Sequence, residues 1–392
     1  MKRRTRFFFA LFALTLALAG CSSGAGLQAP TAQATAQSAV TSTPFQPVPP
    51  SAAPSASPAP TASSTPSPTP LPTVTPTPTP TATPEPITLL FTGVIVPARC
   101  VQAAVDERGS PDYIYSEVRE IIQAADLAVG TLNATLSDYP PHTGCVRTYV
   151  LVGSANNADA MQQAGFDVMS VATNHIKNCG LTDCGDRAFL DTMDNLERVG
   201  IQAVGAGDNL AEALQPVFVT IKGVRFGIVS LGMVEPMAFA GENSPGIAIL
   251  NEENLSSAIA AARLQADVVI AMPHWGPEDT EIPNEWQLRF ARAAVEAGAD
   301  MVVGNHTHVV QAYQELDGVP VFYGLGNFVF DQNWDLAHQQ GVILQLKFTG
   351  ARYTGFEFLA THVDGDGTVH LAGPEESAQI LERINLASEK IK

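Results

Sequence analysis

Short apolar runs alternate with amphipathic stretches from residue 87 onward, and this spacing predicts a repeat of strand and helix. The runs Ile87–Val94, Leu127–Leu132, Val168–Ala172, Phe226–Leu231, Val268–Met272, Met301–Gly304 and Val321–Leu325 carry few polar positions. That is the pattern of strands covered on both faces. Between them, Ser116–Ala125, Arg187–Val199, Leu255–Gln265 and Glu285–Ala297 place apolar residues at helical spacing. The alternation predicts an α/β fold with largely parallel central strands. Two hairpins interrupt it. Phe218–Ile221 turns at Lys222-Gly223 into Val224–Ile228, and Gln314–Leu316 turns at Asp317-Gly318 into Val319–Tyr323. Asp-Gly is a favoured type I′ pair. Further antiparallel strands are expected over Val342–Phe348, Gly355–Ala360 and Thr368–Leu371. The fold class expected is therefore α/β, with two mixed β-sheets packed together and flanked by helices.

The first 86 residues follow other rules. Lys2 to Arg6 are mostly basic, Phe7 to Leu18 are apolar, and small residues precede Cys21. This is the layout of a secretory signal peptide, with an apolar run too short to span a membrane comfortably. Leu18-Ala19-Gly20-Cys21 further resembles a bacterial lipobox, in which the cysteine is acylated and becomes the new N-terminus. Residues 22–86 are rich in Pro, Thr, Ser and Ala, with Glu85 as their only charged side chain. Such a chain buries too little apolar surface to fold, and its prolines favour an extended stalk. The expected organisation is a signal peptide over 1–21, a disordered stalk over 22–86 and a folded domain over 87–392. The expected location is outside the cell, lipid-anchored to the outer face of the membrane.

Charge narrows the partners. The 392 residues hold 21 Lys and Arg against 39 Asp and Glu, and four of the basic residues are Lys2, Arg3, Arg4 and Arg6. Without those four, 17 basic residues face 39 acidic ones, a net charge of −22 that disfavours nucleic acid. Export also bears on the cysteines. Setting Cys21 aside, Cys100, Cys145, Cys179 and Cys184 remain, an even number that suggests two disulfides with three possible connectivities. The pairing expected is Cys100–Cys145 and Cys179–Cys184.

Four of the eight histidines closely follow apolar runs: His175, His274, His306 and His308. In parallel α/β folds the carboxyl ends of strands face one crevice. Imidazoles delivered there make a ready cluster for a transition metal, and Asn174 adds a carbonyl oxygen. The remaining histidines, His142, His338, His362 and His370, read as surface or structural residues.

Residues 87–345 resemble the capsule-synthesis protein CapA family, the poly-γ-glutamate capsule domain. The strongest match is Ala297-Gly298-Ala299-Asp300 through Gly304-Asn305-His306-Thr307-His308-Val309-Val310-Gln311, followed by Val321-Phe322-Tyr323-Gly324-Leu325-Gly326-Asn327-Phe328. His274-Trp275-Gly276 with Glu278, and Ser170 to His175, match two further family motifs. The resemblance implies a calcineurin-like metallophosphatase fold. It also implies metal ligation by Asn174, His175, His274, His306 and His308, with His274, His308 and Arg99 as candidate catalytic groups. Two acids are missing. Where the family opens on T-G-D, this chain has Thr92-Gly93-Val94, and where it has N-L-E, this chain has Thr131-Leu132-Asn133. Valine cannot bind a cation and Asn133 offers no negative charge, so a two-metal clamp is impaired. The cofactor expected is one divalent transition ion (Mn, Zn or Fe) or none.

Three readings compete. The first is an exported CapA-like protein that assembles, exports or binds an anionic extracellular polymer or peptide such as poly-γ-glutamate, beside membrane-embedded capsule-synthesis partners. The second is a metal-dependent hydrolase of phosphoester or amide bonds. The third is a structural surface lipoprotein whose histidines only hydrogen-bond. Val94 and Asn133 weigh against the second, and the intact histidine set against the third.

Overall fold

The computed structural model of the protein describes residues 85–177, 185–234 and 238–392. The chain divides into two units, Met1–Thr77 and Pro78–Lys392, and the described residues all belong to the second. The expected signal peptide, nearly all of the stalk, and the Cys179–Cys184 pair lie outside them.

In chain order the strands of the two large sheets begin with β1 (Pro86–Ile95), β2 (Leu127–Leu132), β3 (Val168–Ser170) and β4 (Gln202–Val204). Next come β5 (Val217–Ile221), β6 (Val224–Gly232), β7 (Val268–His274), β8 (Met301–Val303), β9 (Tyr313–Leu316) and β10 (Val319–Phe322). The last are β11 (Asn327–Val329), β12 (Gln340–Thr349), β13 (Arg352–Val363) and β14 (Val369–Leu371). An eight-stranded sheet has the order β14-β13-β12-β1-β2-β3-β4, with β11 paired to the end of β1. A six-stranded sheet has the order β9-β10-β8-β7-β6-β5.

Each sheet is parallel at its centre, with antiparallel strands at one edge of the larger sheet and at both edges of the smaller. β1 to β4 run parallel, and so do β6, β7, β8 and β10. β12 to β14, β5 and β9 add antiparallel strands. Both hairpins turn where expected, with positive φ at both central residues: 48° and 84° at Lys222-Gly223, 50° and 86° at Asp317-Gly318. This is the left-handed geometry a type I′ turn needs.

Alternation along the strands sorts side chains into three cores. Ile87, Leu89 and Phe91 of β1 meet Phe226, Ile270 and Met272 between the sheets. Leu90 and Val94 face the opposite way, into a layer with Val101, Ile122, Met161 and Phe189. On the far side of the second sheet, Val269 and Ala271 pack with Leu255, Ile259 and Phe290 of two helices, Glu252–Arg263 and Glu285–Glu296. The result is two mixed sheets in contact with helices outside, as the sequence led us to expect.

Some elements escape a reading of the sequence alone. Helices Cys100–Arg108, Asn156–Ala164 and Pro374–Glu389 are not among those expected, and the expected helix over Ser116–Ala125 is confined to Arg119–Gln123. The C-terminal helix does carry start signals, Pro374 in its first turn with Glu375 and Glu376. A disulfide joins Cys100 to Cys145 across 45 residues, the expected pairing. No helix among the described residues is long and apolar enough to cross a membrane.

The contact between β1 and β11 depends on a missing side chain. A Cβ on Gly93 would sit 2.2 Å from the Gly326 carbonyl oxygen, while the Val94 amide donates to that same oxygen at 2.9 Å. Backbone on both sides leaves no flexible atom to yield. Gly93→Ala should therefore destabilise the protein by about 2 kcal/mol or more, the cost of overpacking a rigid site. Urea unfolding midpoints of the native and variant proteins test this.

Candidate functional site

The parallel strands of both sheets release polar residues at their carboxyl ends. Asn133 follows β2, Asn174 and His175 follow β3, His274 closes β7, and Asn305, His306 and His308 follow β8. All seven are buried. Val94, also buried, pairs in register with Thr131 on one side and Asn327 on the other.

Three of these residues converge. His274 Nε2 lies 3.0 Å from Asn174 Oδ1 and 3.1 Å from His306 Nδ1. The His274 and His306 rings meet edge to face at 4.7 Å. His308 stands slightly apart, 6.1 Å from the His306 ring. Its Nδ1 is 2.8 Å from Asn327 Oδ1, and the Asn327 amide nitrogen donates to Gln332 Oε1 and to the His338 carbonyl. Those two bonds fix which way the carboxamide points. His308 therefore carries its proton on Nδ1, and its bare Nε2 looks toward Glu278 at 3.9 Å.

Burial pushes all four imidazoles toward the neutral form, reinforced by the neighbouring rings. His175 is lowered to about 4, with help from His308 and Arg99. His306 falls to about 3 and His308 to about 4, while His274 lies well below its ordinary value. Neutral rings offer lone pairs, and several polar atoms of the crevice lack a partner. His274 Nδ1, His175 Nδ1 and Asn305 Oδ1 are buried without a hydrogen-bond partner. Protonated at Nε2, the His274 ring leaves Nδ1 bare. Protonated at Nδ1, it sets its Nε2 lone pair against the Asn174 oxygen, a clash that a cation between them relieves. Donors about 2.1 Å from a common ion and at right angles to one another stand about 3.0 Å apart. The distances from His274 Nε2 to Asn174 Oδ1 and to His306 Nδ1 both fit that geometry.

The acidic half does not fit. Asn133 accepts the His175 amide on Oδ1 at 3.0 Å, and its amide nitrogen is buried without a partner. Val94 contributes an isopropyl group to the helix-side core. Asp331 is held by the Arg99 guanidinium and by the Cys100 amide. Among the described residues, no third His, Cys, Asp or Glu donor comes within 4.8 Å of both His274 and His306.

The structure thus gathers Asn174, His274 and His306 tightly, with His175 and His308 at their margin. It gives Arg99 another task. That side chain is buried, grips Asp331, donates to the Thr148 carbonyl at 3.3 Å and lies over the Phe330 ring at 4.6 Å. Its charge is met by Asp331 and is felt by His175 and His308. Sequence reasoning missed Asn327 and His338. Asn327 sits inside the quoted Gly326-Asn327-Phe328 motif, so a signal was present. His338, read as surface or structural, is buried between Asp335 and Asp279, and its carbonyl holds Asn327.

A loop tied by the Cys100–Cys145 disulfide forms the rim. Its Tyr149, 78% exposed, stacks on His175 with an interplanar angle of 7°, and its Arg147 lies over the exposed Trp334 ring at 4.2 Å.

Residues 88–332 match the family model described as bacterial capsule synthesis protein PGA_cap. The chain belongs to that family. It is 29% identical over 293 residues to the PGA biosynthesis protein CapA of Bacillus subtilis (strain 168), covering 74% of this chain and 73% of that one. Over 259 residues it is 31% identical to the capsule biosynthesis protein CapA of Bacillus anthracis, covering 64% of this chain and 61% of that one. A solved 5′-nucleotidase precursor from Thermus thermophilus is 12% identical, with a TM-score of 0.41 over 78% of this chain and 59% of its own. A likeness that distant says nothing of activity. The capsule-family motifs are the same residues that build the histidine crevice.

Neutral buried imidazoles make the metal-free fold sensitive to acid. In the unfolded chain they titrate near 6.5, whereas three of them titrate at about 3 to 4 when folded. Below pH 6.5 the unfolded state then binds more protons, so stability is full above that pH and declines as pH falls toward 4. Each such ring contributes roughly 1.4 kcal/mol per pH unit in that window. Urea midpoints of chelator-treated protein should drop between about pH 6.5 and 4, with more than one proton taken up on unfolding.

Proposed function

We propose that this protein is an exported, lipid-anchored member of the capsule-synthesis family that binds a polyanionic extracellular polymer of the γ-linked polyglutamate type and hydrolyses little or nothing. The reading rests on one observation above others. The imidazole half of the crevice is assembled, while both positions that would supply carboxylates carry Val94 and Asn133, and Asn133 spends its oxygen on the His175 amide. Asn174, His274 and His306 would hold a divalent transition ion, which when bound supplies positive charge for a polymer carboxylate. His175 and His308 flank that position as hydrogen-bonding groups, with His308 presenting a bare Nε2.

The rim adds a surface for a chain-like ligand. Tyr149 offers an exposed ring above His175, and Arg147 with Trp334 offers a cation on an aromatic face. An acidic protein needs such a local feature to take up a polyanion, since its overall charge repels one. The membrane anchor and stalk expected from residues 1–86 would keep the protein at the outer face of the membrane, beside membrane-embedded synthesis partners.

The leading alternative is metal-dependent hydrolysis, and the two missing acids separate the readings. The full chain with Val94→Asp and Asn133→Glu together should hold one metal equivalent more than the native chain by mass spectrometry, with phosphoester hydrolysis rising by about tenfold or more. Hydrolysis by the native chain that disappears in His274→Ala would move the protein to the hydrolase reading. Binding is tested separately. Tyr149→Ala and Arg147→Ala should each weaken calorimetric affinity for γ-linked polyglutamate by about fivefold, the scale of one aromatic or cation–π contact.

A further inference from the structure

A second cluster of metal-ligating side chains lies on the last hairpin, outside the capsule-family motifs. β13 and β14 pair with Thr361 opposite Leu371, His362 opposite His370 and Val363 opposite Val369. The two histidines are therefore direct cross-strand neighbours, and their rings stack at 5.1 Å with an interplanar angle of 24°. Asp364 follows His362 by two residues in the connecting turn. Its carboxylate lies 3.6 Å from His370 Nε2 and 4.0 Å from His362 Nε2. One ligand atom from each of the three falls within 4.8 Å of the others.

What distinguishes this cluster from a chance meeting of polar side chains is how the far side of each ring is held. His362 Nδ1 lies 2.8 Å from Glu376 Oε1, on the C-terminal helix. His370 Nδ1 is 3.3 Å from the Leu371 carbonyl oxygen. Both contacts engage Nδ1 and turn Nε2 toward the Asp364 carboxylate. An imidazole whose second nitrogen donates to a carboxylate or a backbone carbonyl is the arrangement that orients histidine ligands on a metal. Glu376 is itself fixed, since it also accepts from Gln340, whose oxygen accepts from Arg383.

The turn is braced from the other side as well. The Asp364 amide donates to the Thr368 carbonyl, and the Gly367 amide donates to the Asp364 carbonyl. The neighbouring Asp366 pairs with Arg108, and its carbonyl accepts from the Tyr113 hydroxyl at 2.7 Å. Side-chain exposures of 16% for His362, 32% for His370 and 53% for Asp364 leave the cluster open to solvent for entry of an ion.

We propose that His362, Asp364 and His370 form a binding site for a divalent transition ion of the zinc class, with Glu376 as the carboxylate that orients His362. Two imidazoles and one carboxylate suit zinc, nickel or copper and are poor ligands for magnesium or calcium. The remaining coordination position is left to water. The ion would clamp the terminal hairpin and, through Glu376, tie it to the helix Pro374–Glu389. This site does not depend on the central crevice being loaded, nor on the polymer reading.

Zinc is the probe. Chelator-treated full chain is titrated calorimetrically with Zn²⁺, alongside His370→Ala, Asp364→Asn and Glu376→Gln. The native chain should bind one equivalent more than either His370→Ala or Asp364→Asn. Glu376→Gln should keep that equivalent with affinity reduced about tenfold. The equivalent should also survive in His274→Ala, which separates it from any ion in the crevice. Asp364→Asn is close in shape and sits in an exposed turn, so it reports on the site even if His370→Ala unfolds. Equal stoichiometry and affinity in the native chain and Asp364→Asn would overturn the proposal.

Discussion

The inner faces of the two sheets hold everything else in place. Ile87, Leu89 and Phe91 on one side and Phe226, Ile270 and Met272 on the other exclude water between the layers. Because side chains alternate along a strand, that contact also decides which residues face the helices and which emerge at the strand ends. A slip of one residue in β1 would drive Leu90 and Val94 between the sheets and turn Phe91 toward the helices. The crevice is thus a by-product of register. Its histidines meet because apolar residues upstream of them are locked.

The converging ligand atoms of the crevice belong to uncharged groups, with the Glu278 carboxylate 3.9 Å from His308 at its margin. Its imidazoles are held neutral by burial, its amides are neutral by nature, and the nearby Asp331 carboxylate is cancelled by Arg99. A site of this kind binds a metal more weakly than one with acids, and leaves the metal more of its positive charge. Such a charge can be answered by carboxylates arriving from outside. His306 and His308 adopt φ of 111° and 61°, strained for residues with a Cβ, and the surrounding packing must sustain that geometry.

How much of this the sequence made legible varied with distance along the chain. The central strands were readable because strands buried on both faces leave unbroken apolar runs, and the hairpins because Lys222-Gly223 and Asp317-Gly318 mark left-handed turns. The four histidines stood out because they follow those strands within a few residues. What stayed hidden was anything decided by a partner far away. Arg99 meets Asp331 across 232 positions, and Asn133 meets the His175 amide across 42. No local pattern announces either contact. The pairing of His362 with His370 lay between these cases. Its hairpin was anticipated only as separate strands, and without the register the two rings could not be placed opposite each other.

The disulfide gives the rim a history. Tyr149 and Arg147 are carried by a loop whose anchor, Cys145, is tied to Cys100 at the start of a helix, and the Thr148 carbonyl rests on Arg99. A newly made chain with reduced thiols lacks the covalent half of that attachment. Pairing of the two thiols supplies that covalent half, so how firmly the rim is held depends on the redox state of its surroundings.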